Sequence, residues 1–141
     1  MSFTDTELEY LASQPLGRLA TVQPDGTLQV NPAGFAYNAG TVTIDISGYN
    51  MAASRKFRNV ADNGRIAFVV DDIASTQPWR VRCVEIRGHA EALPDPDDSA
   101  TELDGPIIRI HPRRIISFGL EGADLDPHRL IPNKRNVTGQ P

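Results

Sequence analysis

The sequence has few of the features that mark disulfide-bonded, metal-binding or membrane proteins. Only one of its 141 residues is a cysteine, Cys83, which excludes an intramolecular disulfide framework and fits a reducing cytoplasm. The three histidines share no ligand-like spacing with one another or with Cys83, so we expect no metal site. No apolar run approaches the ~20 residues that a membrane span requires, and no basic region followed by an apolar stretch marks a signal peptide. We therefore expect a cytoplasmic protein with no membrane segment.

Lysine is also scarce, and charge is distributed unevenly. The chain has 2 lysines against 12 arginines, and its formal net charge is -4. An acidic balance argues against a general nucleic-acid partner, because such proteins are usually basic. Six acidic residues and no basic residue lie between Glu91 and Asp104, whereas the rest of the chain has 12 acidic and 14 basic residues. The remainder is therefore slightly positive and is able to hold an anion.

Turn residues divide the first part of the chain into a helix and three strands. Thr4-x-x-Glu7 matches a capping box, and Pro15 ends the helix that it opens. Pro24-Asp25-Gly26 and Asn38-Ala39-Gly40 are strong turn signals. Together they predict a three-stranded meander whose strands run from Leu16 to Gln23, from Thr27 to Tyr37 and from Thr41 to Ser47.

The periodicity changes after this meander. A short helix is predicted from Met51 to Asn63, with Gly64 as its left-handed C-terminal cap. A strand follows from Arg65 to Ile73. Its run from Ile66 to Val70 is apolar throughout, which predicts a central strand buried on both faces.

Two long strands and a tail complete the chain. Pro78 to Leu93 predicts a strand whose buried face changes, through a bulge. Gly105 to Leu120 predicts a last strand or pair of strands, interrupted at Pro112, and the acidic stretch before it is predicted as a loop. The tail from Glu121 shows little periodicity. About six antiparallel strands with short helices suit a small closed or split β-barrel, because closure removes exposed strand edges.

A candidate anion site lies where the third strand ends and the internal helix begins. Ser54, Arg55 and Lys56 stand at the start of that helix, where unpaired N–H groups and the positive dipole end favour negative charge. A hydroxyl, a guanidinium and an ammonium side by side suit a phosphate. The same spacing also fits an amphipathic helix whose basic face, including Arg58, is solvated, and spacing alone favours this alternative.

The other chemistry-bearing residues point to no enzyme class by themselves. Hydrolase, NTPase and Rossmann functions lack support, because no G-x-S-x-G, P-loop or G-x-G-x-x-G motif is present. Asp71-Asp72 is more typical of a turn cap than of a catalytic pair, and Cys83 is expected to pack as a small apolar residue. Three arginines of the long strand either line a groove for anions or face solvent: Arg80, Arg82 and Arg87.

Several of these segments, taken in order, resemble a known family. Ser54-Arg55-Lys56 with the short helix, then Asn63 to Val70, then Val84 to Leu93 are similar to the cofactor segment and the V-x-V-x-G-x-x-E-x-L strand of the pyridoxamine 5′-phosphate oxidase-like superfamily. Its small deazaflavin-dependent branch uses coenzyme F420 and includes a reductase of tetracycline-type biosynthesis. Three segments of the chain resemble that branch: Leu16 to Val22, Pro24-Asp25-Gly26, and Asp71 to Arg82. The likeness spans residues 3 to 120.

The resemblance implies a split β-barrel homodimer with two cofactor sites at the subunit interface. Residues 1–120 would form the cofactor-binding domain and residues 121–141 a C-terminal tail. Ser54, Arg55 and Lys56 would hold the cofactor phosphate, which reverses the preference from spacing alone. Ser47 would offer backbone contacts, and four residues would lie against the ring: Asn31, Pro32, Ala33 and Gly34.

The activity that the resemblance implies is an F420-dependent reductase, which transfers a hydride between reduced deazaflavin and a conjugated organic substrate. An FMN-dependent oxidoreductase of the same fold is the alternative, and a non-catalytic protein that binds a cofactor or another heterocycle is a third possibility. The sequence has Cys83 where the true oxidases have an FMN-contacting Gln, and it lacks their Arg-rich C-terminal substrate motif. These departures disfavour vitamin B6 oxidation. No residue is assigned as proton donor.

Overall fold

Seven antiparallel strands and two α-helices make up the part of the chain that the structure, a computed structural model, describes: residues 2–96, 103, 105–121 and 130–137. The helices are α1 (Asp5–Ala12) and α2 (Arg55–Asn63), and one 3-10 turn, Met51–Ala53, precedes α2. The strands are β1 (Gly17–Val22), β2 (Leu28–Asn38), β3 (Thr43–Ser47), β4 (Arg65–Thr76), β5 (Trp79–Leu93), β6 (Ile107–Phe118) and β7 (Asn133–Asn136). No helix in the described ranges is long and apolar enough to cross a membrane.

Six of these strands close into a barrel. Their order is β3-β2-β1-β4-β5-β6, and β3 pairs again with β6, so the first and last strands of the six meet. The first three strands form the predicted meander. β3 and β7 both pair with the same edge of β6. β3 pairs with its first half and β7 with its second half. The fold is the mainly β split barrel that the resemblance implied, with one strand more than predicted.

The helix ends agree with the local sequence signals, although the second helix starts later than predicted. The capping box of α1 is confirmed: Thr4 N donates to Glu7 Oε1 at 2.9 Å, and Glu7 N donates to Thr4 Oγ1 at 3.1 Å. The predicted helix from Met51 to Asn63 is divided, because Ser54 is extended between the 3-10 turn and α2. Gly64 ends α2 with a φ of 69°, as predicted.

The expectation that β4 is buried on both faces is wrong for the single chain. Ile66, Phe68 and Val70 point into the barrel and are buried, whereas Ala67 and Val69 on the outer face are half-buried. An apolar run does not distinguish burial by the chain itself from apolar residues that the chain leaves partly open. The outer face of β4 therefore remains accessible.

The bulge predicted in the long strand lies instead in its two neighbours. β5 is continuous, and the register shifts leave one extra residue in β4, Ala74, and one in β6, Arg113. Pro112 stands directly before the second bulge, so β6 continues through it rather than ending there. Cys83 and Val84 are buried on opposite faces of β5, which explains the change of face in the sequence pattern.

The tail contributes β7, which the sequence analysis did not predict. Arg135 of β7 donates to the buried carboxylate of Glu7, which also accepts from Ser117 Oγ at 2.6 Å. This cluster joins α1, β6 and β7. The division into residues 1–120 and 121–141 stays a prediction, and most of the predicted acidic loop lies outside the described residues: Asp97, Asp98, Glu102 and Asp104.

Candidate functional site

β2 is longer than β3, and this difference leaves part of its edge open. Residues Gly34 to Asn38 of β2 pair with β3. The earlier residues, Leu28 to Ala33, pair with β1 on one side and with no other described strand. We call this unpaired side of residues 28–33 the β2 edge. It exposes backbone donors and acceptors to a ligand, together with Val30, whose exposed fraction is 65%.

Three of the predicted ring-contact residues lie at this edge, and Gly34 follows it where β2 begins to pair with β3. The four residues alternate between the two faces of the strand. Pro32 and Gly34 are exposed, whereas Ala33 is buried in the barrel and Asn31 is half-buried on the same inner face. Ala33 therefore offers an outside ligand only its backbone groups, whereas Asn31 remains partly accessible. Gly34 pairs directly with Ser47, so the structure brings these two predicted residues together.

Gly34 leaves open surface where a side chain would stand. A Cβ placed there would meet no atom nearer than Pro15 O, at 4.0 Å. The fold itself therefore has room for a side chain at this position. The bare backbone allows a flat ligand to approach the sheet closely.

Ser54 is the N-cap of α2, and its hydroxyl is already engaged. Ser54 Oγ accepts from Phe57 N at 3.2 Å and donates to Met51 O at 2.7 Å. Capping is the common role of serine at a helix start, because the first N–H groups have no partner within the helix. The structure thus gives Ser54 the task of holding the first turn, rather than that of a free phosphate donor.

Arg55 and Lys56 are the charged groups at this helix start. Neither forms a hydrogen bond or an ion pair with any residue that the structure describes. The first turn of α2 contains no acidic residue, and the helix dipole adds partial positive charge at the same end. Hydrogen bonds from Thr27 lower the pKa of Asp25, and the charge of Arg55 contributes in the same direction. The helix start therefore favours an anion.

Two asparagines that the sequence analysis did not single out as functional fix α2 against the sheet. Asn59 is buried, and its Nδ2 donates to Thr21 Oγ1 at 3.0 Å. Asn63 Nδ2 donates to Val22 O at 2.7 Å. Asn59 and Asn63 are four residues apart and share one helix face, which was the signal available in the sequence. Through these bonds β1 fixes the second half of α2.

The interpretation of Asp71-Asp72 as a turn cap is wrong, because both residues lie within β4. Asp71 Oδ1 accepts from Arg18 at 2.7 Å. Asp72 accepts two hydrogen bonds from Arg82, whose guanidinium also lies 5.1 Å from the centre of the Tyr10 ring. The hydrogen bonds from Arg82 lower the pKa of Asp72. Both carboxylates are therefore paired, and neither is poised for proton transfer.

The thiol of Cys83 gives no sign of a reactive centre. Cys83 is buried, as expected for a small apolar residue; burial first, and then Asp71 and Glu85, raise its pKa to about 11. A thiol that stays protonated at neutral pH is a weak nucleophile. No group of three or more His, Cys, Asp or Glu side chains suited to a metal ion occurs in the described part of the chain.

Three comparisons with known proteins agree with this architecture. The family model described as pyridoxamine 5′-phosphate oxidase matches residues 3–120. A 5a,11a-dehydrotetracycline/5a,11a-dehydrooxytetracycline reductase of Streptomyces rimosus is 47% identical over 123 residues, which cover 86% of this chain and 87% of that protein.

Solved structures show the same fold. A conserved hypothetical protein of Mycobacterium tuberculosis superposes with a TM-score of 0.66 at 21% identity, over 85% of this chain and 87% of that one. A structure described as an F420 reductase has a TM-score of 0.54 at 29% identity, over 74% of this chain and 91% of that one. Because the family match covers most of the sequence, the chain belongs to the pyridoxamine 5′-phosphate oxidase family of split-barrel oxidoreductases.

Proposed function

We propose that the chain is an F420-dependent reductase that moves a hydride between reduced deazaflavin and a conjugated organic substrate. The observation that carries this proposal is the start of α2, where two cations form no hydrogen bond or ion pair with a described residue and the first turn contains no acidic residue. The Streptomyces relative is named as a reductase of a dehydro compound, and one similar structure is named as an F420 reductase. The first name supports an unsaturated substrate, and the second favours the deazaflavin over FMN.

In this proposal Arg55 and Lys56 hold the cofactor phosphate. The planar guanidinium of Arg55 is suited to two phosphate oxygens at once, and the Lys56 ammonium adds a flexible point charge. Ser54 contributes by capping α2, which keeps the first backbone N–H groups directed toward the anion. FMN and F420 both contain a phosphate, so this part of the site accepts either.

The cofactor ring is proposed to lie over Pro32 of the β2 edge and over Gly34, which adjoins that edge. Ser47, beside Gly34, and the inward-facing Asn31 and Ala33 offer backbone groups. When bound, the deazaflavin supplies the hydride chemistry. The chain contributes the orientation of the ring and, at Gly34, a surface flat enough to exclude water from beneath it. No side chain at the β2 edge is assigned as a proton donor.

We further propose that two copies pair through the outer face of β2, β1 and β4. In one register row Val30 lies beside Ala20, and Ala20 lies beside Ala67. With Val69 these residues form an apolar outer face that the single chain leaves partly exposed, and a second copy would bury it. Light scattering is expected to give twice the mass of one chain, and Ala67→Arg is expected to give monomers. A monomeric unsubstituted protein would contradict the pairing.

Parallel fluorescence titrations with FMN and with F420 test the cofactor assignment. Tighter binding of F420, followed by reduction of a panel of enones by the reduced coenzyme, is the expected result. Tighter binding of FMN would favour the FMN-dependent alternative. Tight binding without hydride transfer to any member of the panel would favour the non-catalytic alternative.

Gly34→Val tests the ring position separately from the phosphate contacts. The added side chain meets open space in the fold, so the free energy of unfolding is expected to change little while cofactor binding weakens at least tenfold. Ala39→Val, which also introduces a valine, in the exposed turn between β2 and β3, is the control and is expected to bind normally. Full affinity in Gly34→Val would place the ring elsewhere.

A further inference from the structure

A second ligand-sized space lies at the other end of the sheet. The β4–β5 hairpin, the end of β6 and the residues Leu130 and Pro132 enclose a cleft of about 830 Å³. Its volume falls within the range of about 300–1,000 Å³ that is usual for small-molecule sites. None of the residues assigned to the cofactor lines this cleft.

Strand register separates the cleft from the phosphate site within one chain. α2 is fixed to β1 at Thr21, and Thr21 pairs with Ile66 of β4. The cleft begins at Ala74, eight residues further along β4. At about 3.3 Å per residue this is a separation of about 26 Å along the strand. Within one chain the cleft is therefore separate from the anchored part of α2.

The walls of the cleft are largely apolar and include an aromatic surface. Trp79 is 57% exposed, and Val81, Phe118 and Leu120 line the same space. A large indole left exposed beside a cleft offers a stacking surface to a flat ring. The apolar walls favour a planar, mostly hydrophobic ligand.

Among the described residues that line the cleft, one cation is not neutralised by the fold. Arg82 is held by Asp72 and Tyr10, so its charge is already compensated. Arg80, two residues earlier and half-buried, forms no hydrogen bond or ion pair with a described residue. The lining carboxylate, Glu121, is exposed, so solvent screens it more than Arg80. A half-buried guanidinium without a partner favours an acidic group on the ligand.

We propose that this cleft is a binding site for a planar aromatic molecule with an acidic group, in which Trp79 stacks on the ring system and Arg80 pairs with the acid. The inference is independent of the cofactor that the β2 edge holds. It goes beyond the proposed reductase function by assigning a separate site and the class of its ligand.

Two probes that differ by one sulfonate group test the proposal. 1-Anilinonaphthalene-8-sulfonate has the acidic group, and N-phenyl-1-naphthylamine is its neutral counterpart. Trp79 is the single tryptophan of the chain, so quenching of its fluorescence reports occupation of the cleft directly. The sulfonate is expected to bind about fivefold more tightly than the neutral probe, as for a partly exposed ion pair.

Substitutions at Arg80 then assign the charge effect. Arg80→Gln is expected to remove the preference for the sulfonate, Arg80→Lys to retain most of it, and the exposed Arg65→Gln to leave it unchanged. Glu121→Gln is expected to strengthen sulfonate binding slightly. Equal affinity of the two probes in the unsubstituted protein, or an unchanged preference in Arg80→Gln, would overturn the proposal. The first of these outcomes needs no variant, so the test does not depend on how a variant folds.

Discussion

Charged residues occupy two regions of this barrel under opposite conditions. At the seam where β3 meets β6, Asp45 and Arg109 face each other and are surrounded by further partners. At the start of α2, Arg55 and Lys56 have no partner in the described chain. Both regions contain arginine, so residue type does not distinguish them. They differ in whether the charged side chains have partners. A charge with partners stabilises the fold, and a charge without them remains available to a ligand.

The seam shows how completely a buried charge is compensated. Asp45 is fully buried, and its two carboxylate oxygens accept from Arg109 Nε and Nη2, each at 3.0 Å. Asn38 Nδ2 donates to the same carboxylate at 3.0 Å, and Thr43 Oγ1 at 3.1 Å. Such a pair favours one arrangement of the strands, because loss of either charge leaves the other buried without compensation. The seam is therefore a structural site.

The largest expected effect is at the seam. Arg109→Met leaves the Asp45 carboxylate buried with only neutral partners, so the free energy of unfolding is expected to fall by about 3–5 kcal/mol. Urea denaturation measures the loss. The double variant Asp45→Asn/Arg109→Met removes both charges and is expected to recover a large part of it. A loss below about 1 kcal/mol in Arg109→Met would show that the pair does not hold the barrel closed.

The start of α2 is expected to respond in the opposite way. Arg55→Ala and Lys56→Ala each remove a charged contact to the cofactor phosphate and are expected to weaken F420 binding by about 1.5–3 kcal/mol. The free energy of unfolding is expected to change by less than about 0.5 kcal/mol, because neither side chain has a partner to lose. Fluorescence titration and urea denaturation measure the two quantities. Arg65→Ala, which removes an exposed arginine at the start of β4, is the matched control. If Arg55→Ala and Lys56→Ala both bound F420 with unchanged affinity, neither residue would hold the cofactor phosphate.

Ser54 lies between these extremes, since it belongs to the fold and stands beside the anion site. Ser54→Ala removes the cap of α2 and is expected to lower the free energy of unfolding by about 1 kcal/mol. Ser54→Asp keeps a good cap but places a negative charge beside the proposed phosphate. It is expected to retain stability and to lose cofactor affinity. Full affinity in Ser54→Asp would argue against an anion at this helix start.

Local signals in the sequence were sufficient for both helices and for most of the strands, whereas the proposed phosphate contacts depend on the family resemblance. The caps at Thr4, Ser54 and Gly64 act over three or four residues, and the turn at Pro24-Asp25-Gly26 is equally local. Such features are readable because the residues that cause them are adjacent in the chain. The proposed ring contacts came from the family resemblance and not from pattern.

The partners of the charged residues were not readable, because they are set by the closed barrel. Asp45 and Arg109 are 64 residues apart, and Glu7 and Arg135 are 128 apart. Nothing in the local sequence distinguishes Arg135, which fixes β7, from Arg80, which has no described partner. The same limit explains why Asp71-Asp72 was misassigned and why β7 was missed: a four-residue strand has too short a pattern to predict alone.

The smallest effect expected under ordinary conditions is that of pH, and it too separates the two regions. Burial alone would raise the pKa of Asp45, but the hydrogen bonds from Arg109 and Asn38 outweigh it and hold the pKa below the usual 3.8. The unfolded chain therefore binds more protons than the folded one as acid is added, so stability is complete above about pH 5 and is lost as pH falls below about 4. Glu7, whose pKa is lowered from 4.5, acts in the same direction.

Urea denaturation at successive pH values measures the slope of the free energy of unfolding against pH. Asp45→Asn/Arg109→Met is expected to reduce this slope, leaving the contribution of Glu7. Arg55→Ala is expected to change it little, because Arg55 makes only a minor contribution to the lowered pKa of Asp25. If the unsubstituted protein and both variants had the same slope, the acid sensitivity would come from other carboxylates and not from the Asp45–Arg109 pair.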